Sequence, residues 1–252
     1  MTSFDITNRK IVITGGTSGI GLAMARAFLA AGAHVVICGR NAQTGAQALD
    51  TLVSQHAHFL PCDVGEEDDC AALADFAGQH MDGIDTLVCA AGLNRRGRPE
   101  TISLSDWDAV HNATLKGTFL AARACYPALK SSGDGRIVTI GSMMSVLANE
   151  ATAPYAAAKG GVVQLTRSLA VSWAPDGIRA NCILPGWIDT AMTRKAREDM
   201  PGLDARVRDR TPTGDWGHPD DIADTAIFLA APASRFITGA AIPVDGGYLM
   251  RG

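Results

Sequence analysis

Tyr155 and Lys159, in the stretch Pro154-Tyr-Ala-Ala-Ala-Lys159, are the side chains of this sequence best suited to moving a proton. Four residues make about one helical turn, so on a helix the phenol and the ammonium share a face. A cation held there favours phenolate over phenol and lowers a pKa that is about 10 in a free tyrosine. Such a tyrosine can give and take a proton near neutral pH. Chance also places Tyr and Lys at this spacing on surface helices, so the pair has to be weighed with its company.

A second group sits near the start of the chain, where Thr14-Gly-Gly-Thr-Ser-Gly-Ile-Gly21 follows an apolar run. Gly15, Gly19 and Gly21 keep the spacing G-x-x-x-G-x-G. Glycine permits a tight turn and lets the backbone and a helix N-terminus approach a pyrophosphate without a Cβ in the way. Further on, a strand-like run ends in Ile37-Cys-Gly-Arg-Asn41. An NAD site usually has an acidic residue here, bonded to the ribose 2′-hydroxyl. Gly39 fills that slot and Arg40 follows, a residue able to pair with a 2′-phosphate. The expected cofactor is therefore NADP(H). NAD(H) is the alternative if Arg40 is only a solvated loop residue, and Ser18 adds no second basic group to the turn.

Both groups need elements to hold them. Short β-branched runs at 11–14, 34–38, 58–62, 85–89, 136–140, 179–183 and 241–244 read as strands. Ala- and Leu-rich segments at 20–31, 43–54, 67–80, 105–129 and 153–173 read as helices. This alternation predicts an α/β fold, a doubly wound parallel sheet of Rossmann type with helices on both faces. No repeat or linker interrupts the 252 residues, so one domain is expected over 1–252. The stretch 186–217, rich in Met, Arg, Asp, Thr and Pro, is expected to be irregular and to act as a lid or substrate loop.

Composition narrows the function classes. At 47% hydrophobic and 19% charged with a net charge of −4, the chain has material for a large core. It has no basic stripe for nucleic acid or membrane surfaces. Its one compact basic cluster is Arg95, Arg96 and Arg98. The six cysteines form no Cys-x-x-Cys pair and read as small hydrophobes, and the six histidines show no ligand spacing with them, so no metal is expected. With no leader-like start and no apolar run of membrane length, the chain is expected to be cytoplasmic.

Taken together, these residues resemble the short-chain dehydrogenase/reductase superfamily, in its subgroup of this length. The resemblance rests on Thr14–Gly21, Cys62-Asp63-Val64, Ala90-Ala91-Gly92, Trp107 to Phe119, Ser142, Tyr155-x-x-x-Lys159, Pro185-Gly186 with Thr190, and Val244-Asp-Gly-Gly247. It implies a hydride-transferring enzyme acting on CH–OH groups and a homo-oligomer, most often a tetramer. In such an enzyme Ser142 bonds the substrate oxygen as charge develops. Tyr155 moves the proton, its phenolate favoured by Lys159 and the oxidised nicotinamide. Lys159 holds the nicotinamide ribose. The resemblance also implies cofactor contacts from Gly15, Thr17, Ser18, Gly19, Ile20 and Gly21 in the turn. Asp63 and Val64 would meet the adenine, and Ala90, Ala91 and Gly92 would pass beneath the ribose. Pro185, Gly186, Ile188 and Thr190 would fix the carboxamide.

The chain departs from the family pattern twice. Counted from Trp107, the fourth catalytic member is an asparagine in the family and Thr114 here. Asn112, about 200° around a helix from that position, is not expected to replace it. Cys89 stands where an asparagine commonly opens the Ala90–Gly92 motif.

For the substrate, Leu93-Asn-Arg-Arg-Gly97, Ser142-Met-Met-Ser145 and the ending Asp245 to Arg251 are similar to the gluconate 5-dehydrogenase and 2-deoxygluconate 3-dehydrogenase branch. That likeness makes Arg95 and Arg96 candidates to bind a sugar-acid carboxylate, unless they are surface or interface residues. Met144 and Trp187, with Met143 and Met192, instead suit an apolar pocket for a cyclic or aromatic ketone. Reduction of a 3-oxoacyl thioester and a catalytically silent nucleotide sensor are the other readings.

Overall fold

The computed structural model describes residues 3–251. In chain order the strands are β1 (Lys10–Thr14), β2 (His34–Gly39), β3 (Ala57–Pro61), β4 (Thr86–Cys89), β5 (Arg136–Ile140), β6 (Arg179–Pro185) and β7 (Ala241–Val244). The α-helices are α1 (Gly19–Ala30), α2 (Ala42–Leu52), α3 (Glu67–Met81), α4 (Leu104–His111), α5 (Gly117–Ser131), α6 (Ala153–Trp173), α7 (Ala191–Asp199), α8 (Leu203–Arg210) and α9 (Pro219–Ala230). All seven strands pair in parallel in the order β3-β2-β1-β4-β5-β6-β7.

The central strands are apolar without alternation because helices cover both of their faces, and β4 and β5 are buried along their whole length. On one side Met24 and Phe28 of α1 pack with Ala48 of α2 and Ile222 and Leu229 of α9. On the other, Leu73 of α3, Leu120 and Leu129 of α5 and Leu169 of α6 close the second core. The six cysteines are free and buried, behaving as small core residues. The chain runs outward from β1 to β3 and returns to β4 beside β1, so a crevice opens where the two directions part. Ligands of doubly wound sheets bind at such a switch point, outside the carboxyl ends of the strands.

Three expectations need correction. The single helix expected over 105–129 is two helices joined by a π-turn, Asn112–Lys116. Thr114 lies inside that turn, and such bulges hold one residue off the helical ladder. The stretch 186–217 is not irregular throughout: it carries α7 and α8. Their strongly polar composition hides any apolar period, and neither α7 nor the loop before it offers a continuous buried face. Finally, α9 was not expected from the sequence, although His218-Pro-Asp-Asp221 begins it with a capping box and proline in the first turn.

Candidate active site

The crevice is a cleft of about 460 Å³ running across the carboxyl ends of β1, β2, β4, β5 and β6. At one end the Thr14–Gly21 turn leads into α1. Gly15 has φ +69°, and a Cβ there would fall 2.7 Å from the Ala91 backbone after β4. A Cβ on Gly21 would sit 2.1 Å from the Gly15 carbonyl oxygen. Gly19 has φ +53°, and across the cleft the methyl of Thr190 lies 3.7 Å from where its Cβ would be. The turn is thus closed against its own backbone and open towards the cleft, as a bound pyrophosphate requires.

Beyond it, Arg40 is largely exposed, with its guanidinium 4.0 Å from the Asp63 carboxylate. Asn41 caps α2 by accepting from the Thr44 N–H at 3.0 Å. Asn41 and Thr44 both line the cleft, although the sequence had singled out neither. Their signal was an Asx-type cap directly after a basic residue. A basic side chain beside a helix N-terminus without acidic residues in its first turn suits a phosphate.

At the other end, Ser142 leaves β5 and starts a short 3₁₀ turn, Met143–Ser145, while Tyr155 and Lys159 project from the first turns of α6. Lys159 is only 4% exposed; its Nζ lies 5.7 Å from the Tyr155 ring centroid and donates to the Ile140 carbonyl at 2.6 Å. Burial pushes its pKa down to about 8, resisted weakly by the thiols of Cys182 and Cys89. The expected depression of the Tyr155 pKa is not found. Burial pushes it up, because a phenolate is poorly solvated here, and a hydrogen bond with Ser142 opposes the shift only in part.

Every residue expected to touch the cofactor lines this one cleft, from Gly15 through Arg40 and Asp63 to Thr190, together with Ser142, Tyr155 and Lys159. Thr114 does not line it. It is buried behind Gly92, where a Cβ would lie 3.6 Å from the threonine oxygen and 3.4 Å from Lys159 Nζ. Its hydroxyl accepts from the Leu93 N–H at 3.2 Å, and its carbonyl accepts from Thr118 at 2.7 Å. Asn112 is exposed instead, near Gly65, where a Cβ would lie 3.6 Å from its own.

The residues expected to bind substrate are not assembled in the cleft. Arg95 pairs with Asp106 at 3.4 Å, and neither it nor Arg96 lines the cleft. Met144 reaches Ser142 through its backbone N–H, at 3.1 Å from the serine oxygen. Trp187 is turned onto Trp216, edge to face at 5.4 Å. Trp216 in turn carries the Arg197 guanidinium 4.4 Å over its ring. Arg194 and Arg197 also clasp Asp189, so α7 is tied down beside the cleft. Leu93, Met192 and Thr193 do line it.

A family model described as Enoyl-(Acyl carrier protein) reductase matches residues 15–249. Galactitol 2-dehydrogenase (L-tagatose-forming) of Cereibacter sphaeroides is 38% identical over 98% of this chain and 97% of its own. Gluconate 5-dehydrogenase of Gluconobacter oxydans is 34% identical over 97% and 96%. Among solved structures, a gluconate 5-dehydrogenase from Burkholderia cenocepacia in complex with NADP and tartrate superposes with a TM-score of 0.93. It is 36% identical and covers 98% of both chains.

Proposed function

Because this chain belongs to the short-chain dehydrogenase/reductase family, we propose that it moves a hydride between NADP(H) and a secondary alcohol or its ketone, with Tyr155 as acid and base. The observation that carries this reading is the convergence of Ser142, Tyr155 and Lys159 at one end of a cleft whose other end is the glycine turn and Arg40. The cofactor would supply the hydride and the acceptor for it. Gly15, Gly19 and the α1 N-terminus would hold its pyrophosphate, and Arg40, Asn41 and Thr44 its 2′-phosphate.

In the reductive direction Ser142 donates a hydrogen bond to the carbonyl oxygen and stabilises the charge that grows there. The Tyr155 O–H bond breaks and the new alcohol O–H forms, leaving a phenolate. The raised pKa of Tyr155 keeps the proton on the phenol until an alkoxide, a far stronger base, asks for it. Lys159, with a pKa near 8, stabilises the phenolate and can itself pass a proton near neutral pH. In oxidation the same steps run backwards. Thr114, buried behind Gly92, supports the loop beneath the cleft.

The substrate proposed is a polyhydroxylated secondary alcohol, a polyol or a sugar acid. Support comes from the galactitol and gluconate dehydrogenases among its relatives, and from the similar Burkholderia gluconate 5-dehydrogenase solved in complex with NADP and tartrate. The segment 186–217 would form the substrate loop, with Met192 on its cleft side. Family likeness further suggests a cytoplasmic homotetramer, which light scattering would check.

The test is nicotinamide absorbance with galactitol, threitol, gluconate and a cyclic alcohol, run with NADP and with NAD, and with an acetoacetyl thioester run with NADPH and with NADH. Turnover on a polyol or sugar acid is expected, falling about 10³-fold in Tyr155→Phe with cofactor affinity little changed. Undiminished turnover in that variant would overturn the mechanism. Cofactor binding without hydride transfer on any substrate would favour a silent nucleotide sensor.

A further inference from the structure

We infer that Ser145 is a positioning residue for this chemistry, a clamp that holds Ser142 in register with the turn of α6 bearing Tyr155 and Lys159. The inference rests on the reading of the site given above. The Ser145 hydroxyl has one donor and two acceptor positions. It accepts from the Ser142 backbone N–H at 3.2 Å and donates to the Lys159 carbonyl at 2.9 Å. One small side chain therefore joins the backbones of two residues that the reaction needs at a fixed separation. The two lie 17 residues apart, on a loop after β5 and on a helix.

The surroundings explain why a hydroxyl is needed. Ser142 is 7% exposed, so its N–H has little access to water and would be left unpaired without Ser145. Its extended backbone (φ −168°) differs from the 3₁₀ turn it begins, and Ser145 closes the capping box that starts that turn. Space around the clamp is limited, since a Cβ on Gly141 would stand 3.1 Å from the Ser145 oxygen. The other ties between this segment and α6 do not reach the Ser142 backbone, since Tyr155 meets only the Ser142 side chain. Lys159 Nζ bonds Ile140, and Thr139 bonds Thr166 at 2.7 Å deeper in the core. Neither holds the Ser142 backbone. Small displacements of a reacting group cost rate steeply, which is how a residue that touches no substrate can set kcat.

The experiment is a double-mutant cycle on the full-length enzyme with its best substrate, reading kcat, KM and NADPH affinity. Ser145→Ala is expected to lower kcat about tenfold while both affinities stay within about twofold, and Ser145→Thr to restore most of the rate. In a Ser142→Ala background, Ser145→Ala is expected to cause little further loss, because the clamp acts through Ser142. An unchanged kcat in Ser145→Ala, or losses that simply multiply in the double variant, would overturn the clamp. So would a fall confined to melting temperature. Tyr155→Phe is run alongside. If it is inactive while Ser145→Ala is normal, the clamp fails alone; if it is fully active, the reading of the site fails and the clamp with it.

Discussion

At the Gly15–Arg40 end of the cleft, much of the wall is backbone, three glycines and a helix N-terminus, with Arg40, Asn41 and Thr44 at the rim. At the Ser142–Lys159 end it is side chains: Ser142 is held by Ser145 and Met144, Lys159 by the Ile140 carbonyl, and Tyr155 by Ser142. The first end excludes bulk. A single Cβ would meet backbone there, whereas many surface changes nearby would go unnoticed. The second end is set by geometry and desolvation, so a change that removes few atoms can remove the chemistry. Shape recognises a cofactor common to many enzymes, and positioned side chains decide what is done with it.

Gly21→Ala would break this contrast most severely. Its Cβ must displace the Gly15 carbonyl from 2.1 Å, and backbone cannot swing aside as a side chain can. Loss of about 3 kcal/mol of stability or more is expected, with NADPH binding abolished, as measured by thermal denaturation and fluorescence titration. A stable variant that binds NADPH would show that the turn yields more easily than its geometry implies.

Arg40→Asp should be milder and selective, because Arg40 is 66% exposed and its charge is partly screened. NADPH affinity should fall about tenfold and NADH affinity should hold or rise, with Tyr155 chemistry intact at saturation. Equal loss for both cofactors would assign Arg40 to the common part of the nucleotide.

A pH dependence is expected at the chemical end. Lys159 has a folded pKa near 8 against an ordinary 10.5, so between those values the unfolded chain binds more protons. Wild-type stability therefore gains from this residue as pH rises through about 8 to 10, and it carries the full burial cost below pH 8. Lys159→Met removes the charge. Comparing the two, Tm should shift in favour of wild type by on the order of 5 °C between pH 7 and pH 10. A constant difference would mean that Lys159 does not titrate in that window.

Much of the cofactor end was legible in the sequence, since glycine spacing and the residue after the second strand are local patterns. Asn41 and Thr44 escaped because a helix cap lines a cleft only when the sheet brings it there. At the chemical end the spacing of Tyr155 and Lys159 was legible, but the sign of the tyrosine shift was not, because burial belongs to the packed core. The π-turn at Thr114 left no mark that a helical period could reveal. The pairing of Arg95 with Asp106 was not legible either, because the two meet only once the chain has folded.

Local periodicity determined the order of strands and helices, the glycine turn, and the shared face of Tyr155 and Lys159, for these follow from pitch, spacing and the absence of a Cβ. Tertiary structure decided the rest. Folding carried the Ser142 loop onto α6, so that Ser145 could bridge two backbones, and it drew Lys159 out of water and onto the Ile140 carbonyl. It also turned Trp187 onto Trp216 and away from the cleft. Desolvation and contacts between distant segments exist only once the chain has closed on itself.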